Sequence, residues 1–203
     1  KAPTDGLLSV STINAGFDTV LGMYMGDRVD RLSLVTFNDE DPALKEMEDN
    51  PGLSRIDQAL EGGMEVYIAL DGFAGARGAV SLLSEFEAGP IHRLSVSANN
   101  GGKMVSALTQ PFNDEDGRYT LFAHNGLARL EVRPDGGNVF EGWQGSLNSM
   151  DNPLDLVVTE NIKVMANFGP ISLSENFETG DLGHLQWKVI GNADWFVQAK
   201  VTS

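Results

Sequence analysis

Leu8-Ser9-Val10-Ser11-Thr12, Phe17-Asp18-Thr19-Val20-Leu21-Gly22-Met23-Tyr24 and Leu32-Ser33-Leu34-Val35-Thr36-Phe37 follow one another near the start of the chain. In each, apolar or β-branched side chains alternate with polar ones or run together briefly, and Gly, Asn and Asp stand between the runs. A period of two sends successive side chains to opposite faces of a strand, whereas a helix would need its apolar positions three and four apart. The pattern predicts strands, and Met64 to Leu70 and Gly78 to Phe86 continue it. Between Phe37 and Met64, Ala43, Leu44 and Met47 lie among acidic residues with weak helical spacing. Residues 42–50 therefore read as a loop insertion carrying one helical turn.

Two Gly-Pro steps, Gly89-Pro90 and Gly169-Pro170, each end a β-like run and precede another. Proline fixes its own φ and bars the preceding residue from the helical region, so such steps are natural joints. They divide the chain into residues 1–88, 90–169 and 171–203. In the middle piece, strands are expected at 93–98, 119–123, 128–133, 155–159 and 162–168. The expected fold class is all-β, with tandem β-modules: a β-sandwich, a small β-rich module and a partial third one.

The formal net charge is −15. It is concentrated early, with sixteen acidic against six basic residues over 1–88. Such a surface repels phosphate backbones and anionic lipid, which argues against nucleic acid and membrane as partners and suits divalent cations. No apolar run approaches the ~18–20 residues of a spanning helix. Cysteine is absent, so neither disulfides nor thiolate metal sites contribute.

Ala2-Pro3-Thr4-Asp5-Gly6, Phe17 to Leu21, Tyr24-Met25-Gly26, Phe37-Asn38-Asp39, Ser54-Arg55 and Tyr67 to Gly72 occur in this order. Residues 1–88 thereby resemble the bacterial pre-peptidase C-terminal (PPC) domain, a jelly-roll-like β-sandwich found beside secreted peptidases and in large surface proteins. In that family, strands precede the Ala-Pro-x-Asp-Gly segment, with which this chain nearly begins. Phe140-Glu141-Gly142-Trp143-Gln144-Gly145, Asn152-Pro153-Leu154 and Val164 to Phe168 make 90–169 similar to a divergent internalin B-type repeat, a module of bacterial surface proteins. Asn176 to Gly180, Trp187 and Gly191 to Trp195 resemble the opening of a concanavalin-like jelly roll. Those 33 residues are too few strands to hold a core alone.

No catalytic constellation emerges. His92, His124 and His184 fall one per module, no His-Glu-x-x-His or Gly-x-Ser-x-Gly motif occurs, and no Gly-rich loop opens a helix. An accessory, non-enzymatic segment is expected. Calcium is the cofactor considered, with Asn38, Asp39 and Asp41 of Asn38-Asp39-Glu40-Asp41 as ligands; Asn113 to Gly117 nearly repeats that loop. Calcium takes about six to eight oxygens, and neither loop has EF-hand spacing. The competing reading is a solvated turn whose side chains cap backbone amides. Trp143, Trp187 and Trp195 read as core aromatics, with sugar platforms as the alternative. Met23 and Met25 read as strand packing. Asp18, Ser54, Arg55 and Asp71 read as turn caps with an Arg55–carboxylate pair.

These readings converge on a structural or adhesive segment of a large secreted or cell-surface bacterial protein, extracellular in location. Its partners would be other domains of the same polypeptide or neighbouring copies, joined through strand addition. The alternative is an accessory module that binds carbohydrate or peptide, as beside a secreted peptidase. Both ends look unfinished: the first module lacks its opening strands, and residues 171–203 lack partners. A bare sheet edge in the first module is therefore expected.

Overall fold

A computed structural model describes residues 1–41, 52–106, 108–123 and 125–171. The expected helical turn at 42–50, His124, and the third module from residue 172, with His184, Trp187 and Trp195, lie outside the described residues. Residues 1–170 form one compact unit, and 171–203 make up a second, described only at Ile171.

The fold is all-β. Fifteen strands and two single-turn 3-10 helices, Val29–Arg31 and Phe73–Gly75, are found among the described residues. The first six strands are β1 (Gly6–Ile13), β2 (Thr19–Met25), β3 (Ser33–Asn38), β4 (Arg55–Leu60), β5 (Tyr67–Gly72) and β6 (Ser81–Ala88). They form two three-stranded antiparallel sheets, ordered β4-β1-β6 and β3-β2-β5. The alternation read at Leu8, Val10 and Thr12 carries through only in part, since Ser11 between them is buried as well. Val10 and Thr12 are buried, as are Leu21 and Met23 of β2, and Leu8 packs partly buried against the same core.

The Ala-Pro-Thr-Asp-Gly segment is a structural hub. The Ala2 amide donates to Met64 O at 2.8 Å, and the Asp5 carboxylate accepts from Gly62 N at 2.8 Å. A side chain at Gly6 would meet the Phe86 ring at 2.7 Å and the Glu87 carbonyl, so only glycine fits beneath that ring.

β4 was not expected as a strand; Ser54-Arg55 reads from the sequence as a loop motif. Its start is fixed by a buried hydroxyl cluster instead. Thr12 Oγ1 and Thr19 Oγ1 lie 2.7 Å apart, and Ser54 Oγ donates to Thr19 O at 2.5 Å. The Ser54 amide donates to Thr12 Oγ1 at 2.9 Å. All three side chains are fully buried, and together they tie β1, β2 and the entry to β4.

The remaining strands are β7 (Ile91–Ala98), β8 (Gly102–Met104), β9 (Phe112–Asp114), β10 (Gly117–Ala123), β11 (Gly126–Leu130), β12 (Val132–Pro134), β13 (Asn138–Gly145), β14 (Leu154–Val158) and β15 (Ile162–Pro170). A five-stranded sheet runs β13-β15-β7-β10-β9, with β7 and β15 parallel, beside the pairs β11-β14 and β12-β8. The run expected over 128–133 divides at Glu131 into β11 and β12, which belong to different sheets. The glycines around Trp143, Gly142 and Gly145, suggest a tight turn just after Phe140, but the stretch is strand β13 with a bulge between Phe140 and Gly142. The extra residue re-aims the strand locally, and Gly142 takes up the resulting φ of 120°.

Two cores result. Leu94, Leu130, Trp143, Val158, Val164 and Phe168 are among the residues of the second. The first draws on both sides of Gly89-Pro90: Val10, Leu21, Met23, Ile56 and Leu60 pack with Phe112, Tyr119 and Leu121. Strand β10 therefore serves both, sending Tyr119 and Leu121 to the first core and Phe122 to the second. A Gly-Pro step marks a change of strand here, with the packing continuous across it.

Candidate functional site

The acidic turn closes β3. Asn38 Nδ2 donates to Glu40 O at 2.8 Å, and Asn38 Oδ1 accepts the Arg55 amide at 3.0 Å. Both ends of that amide are thus committed to backbone. Asp39 is exposed, Asp41 is buried, and the Asp41 amide donates to Leu53 O at 2.7 Å. Among the described residues no group of three His, Asp or Glu side chains is placed to hold a metal ion. The similar loop at 113–117 is a hairpin turn: Asp114 Oδ1 accepts the Asp116 amide at 2.9 Å, and Asp114 Oδ2 accepts from Arg93.

Arg93 is the hub of the joint between the halves. Its Nε donates to Glu61 Oε1 at 2.6 Å, its NH1 to Asp114, and its guanidinium lies 4.4 Å above the Tyr119 ring. The bond to Glu61 raises the Arg93 pKa above the ordinary value against the opposing effect of burial. Burial likewise pushes the Tyr119 hydroxyl up.

Of the four motif residues, Ser54 is the buried hydroxyl described above. Asp18 packs its carboxylate against Gly52, whose φ of 98° and lack of a side chain allow that approach. Asp71 accepts the amide of its own neighbour Gly72 at 2.8 Å. The expected Arg55–carboxylate pair exists, with Asp57 at 2.9 Å, both side chains lying on one face of β4. Burial pushes the Asp57 carboxyl up, but hydrogen bonds from Arg55 and Ser9 outweigh it and hold the carboxyl below the usual range.

Trp143 is 1% exposed, with Nε1 donating to Asp151 O at 2.9 Å and its ring edge-on to Phe140 at 5.6 Å. It backs an open cleft of about 350 Å³, whose one titratable lining residue is Glu141. A sugar needs an exposed ring face to stack on, and this indole offers none.

Two surfaces have the opposite character. β6 is the edge of its sheet, and every residue of it except the half-buried Phe86 is exposed. Among the described residues it pairs with β1 alone. The outer face of β3-β2-β5 carries Leu34, Tyr24 and Tyr67 in one cross-strand row, and Phe37, Gly22 and Ala69 in the next. Tyr24 folds across Gly22, where a Cβ would sit 2.7 Å from its ring. Phe37 is 62% and Tyr67 37% exposed, and the Tyr67 hydroxyl donates to Glu65 at 2.9 Å, which raises its pKa. The sequence leads to the expectation of a bare edge in the first module without singling out β6, and it gives no signal of the aromatic face, because inward and outward apolar residues look alike until the sheets are paired.

No family model, curated protein or solved structure matches this chain. What fold and surfaces define together is an all-β, sandwich-like, multi-sheet protein. No helix of the described residues is long and apolar enough to cross a membrane.

Proposed function

We propose that this chain is a non-catalytic structural or adhesive segment of a large secreted or cell-surface bacterial protein, whose modules assemble through strand addition. The resemblances to PPC domains and surface-protein repeats supply the extracellular setting. The observation that carries the assembly is β6, an eight-residue edge strand exposed along nearly its whole length. Among the described residues β6 pairs with β1 alone, and an open sheet edge offers a row of backbone donors and acceptors to an incoming strand. Sedimentation of the chain over a concentration series tests it, beside assays on peptide and glycoside substrates. Concentration-dependent association without turnover is expected; hydrolysis of a substrate overturns the non-catalytic reading, and a strictly monomeric chain overturns assembly.

A second reading, binding of carbohydrate or peptide, is favoured by the Phe37, Tyr24 and Tyr67 face. Aromatic faces stack on flat apolar partners with little loss of entropy. Oligosaccharide titration followed by NMR would shift resonances of these three residues, and Phe37→Ala would abolish the shifts; unperturbed spectra across a glycan panel and a peptide panel reject it.

At the turn after β3, calcium would draw on Asn38, Asp39 and Asp41, the Asn38 Oδ1 keeping a second lone pair beside the one that accepts the Arg55 amide. A rise in Tm on adding calcium, abolished by Asp39→Asn, supports that ion; no shift assigns the turn to backbone capping.

A further inference from the structure

We infer that β6 pairs with β6 of a second copy, antiparallel and centred on Ser84, so that two β4-β1-β6 sheets become one continuous sheet. The inference rests on the assembly reading above and names the partner and the register.

The phase of the strand decides which groups are available. The Gly89 amide donates to Asp5 O at 3.1 Å, in register with the Gly6–Ala88 pair of β1 and β6. Hydrogen-bonded and non-bonded pairs alternate along an antiparallel ladder, so the odd-numbered residues of β6 turn their amides and carbonyls toward β1. Those of Leu82, Ser84 and Phe86 point to the open edge. The same even-numbered residues lie opposite Leu8, Val10 and Thr12, hence on the core-facing side of the sheet. That side is incompletely covered, since Leu82 is 49% exposed.

Side chains then choose among the registers that keep the faces matched. Centring on Ser84 sets Leu82 opposite the second copy's Phe86 and Phe86 opposite its Leu82, so apolar groups meet on the core side. On the other side Leu83 faces Glu85 and Ser81 faces Glu87. Centring on Glu85 would place two carboxylates directly opposite, which destabilises a pair. Centring on Leu83 would oppose the two Leu83 side chains on the outer face but set Leu82 against Ser84, losing the apolar match on the core side. No proline, lysine or bulge interrupts Ser81–Ala88, and its two charges, Glu85 and Glu87, share the face away from the core. With a net charge of −15 on each copy, the contact must form against mutual repulsion. Raising the salt concentration should tighten it.

Because the chain has no cysteine, one introduced thiol reports the register. Directly opposed, hydrogen-bonded residues have Cα atoms about 5.5 Å apart, within the disulfide range. In the full chain under mild oxidation, Ser84→Cys should give a covalent dimer and Ala88→Cys should not. Ser84→Pro removes an amide that β1 does not use, and Leu82→Lys alters the edge without touching the backbone. Each should weaken association at least tenfold while leaving the thermal transition in place. Association that ignores both variants, or cross-linking at Ala88→Cys instead of Ser84→Cys, overturns this register and leaves assembly to another edge. A chain that stays monomeric at millimolar concentration overturns the assembly reading with it.

Discussion

Thr12, Thr19 and Ser54 show how a polar side chain becomes structural. Each hydroxyl is fully buried, and each finds partners within the cluster or on adjacent backbone. Removing one partner strands the others, and an unsatisfied buried polar group costs about 1–3 kcal/mol. Thr19→Val should therefore lower stability by that amount in chemical denaturation, and changing Thr12 and Ser54 as well should cost less than the sum of the single changes. Trp143 belongs at the same scale: its truncation to alanine should cost about 3–5 kcal/mol, as for other buried aromatics. An unchanged Tm in Trp143→Ala would contradict its packing. Trp143 was legible in the sequence because glycines and Phe140 flank a large aromatic. Ser54 was legible only as part of a motif, since partners distant in sequence determine whether a serine is buried.

At the scale of the element, alternation located most strands and failed where two faces are buried or a partner sets the register. β4 is hard to see in the sequence because Arg55 and Asp57 interrupt it with charge, yet these two sit on its outer face and pair there. β13 looked like a turn because its glycines accommodate a bulge, a feature that only the partner strand β15 makes visible. The exposed length of β6 could not be read either, since Leu82, Leu83 and Phe86 suggest a buried strand. The Arg55–Asp57 pair carries a pH dependence. The Asp57 carboxyl titrates lower in the fold than in the unfolded chain. Its contribution is complete above the ordinary carboxylate range and disappears as the pH falls through the depressed value. Both side chains are 45% exposed, so the effect is small and salt-sensitive. Asp57→Asn should flatten the acid branch of the Tm–pH curve and leave that curve parallel to wild type near neutrality.

At the scale of the molecule, the decisive feature is the sharing of one core across Gly89-Pro90. Two modules joined by a proline step would unfold independently if few contacts crossed the joint. Here Phe112, Tyr119 and Leu121 complete the first core, and Arg93 bonds to Glu61 on one side and Asp114 on the other. Residues 1–170 should therefore unfold in a single calorimetric transition whose van't Hoff and calorimetric enthalpies agree. Arg93→Ala should destabilise that transition by about 1–2 kcal/mol, charge-assisted bonds being discounted here for their partial exposure. The sharper test is to divide the chain at the joint. Burying a large apolar side chain is worth about 1.5–3 kcal/mol, and a piece ending at residue 89 forfeits three at once. Domains of that size are only marginally stable to begin with. Residues 1–89 alone should accordingly be unfolded or molten by near-ultraviolet circular dichroism and amide dispersion, and should regain structure when 90–170 is supplied. A cooperative melt of 1–89 near the temperature of the full chain would show that the first sheet pair holds its own core and that β10 merely leans on it.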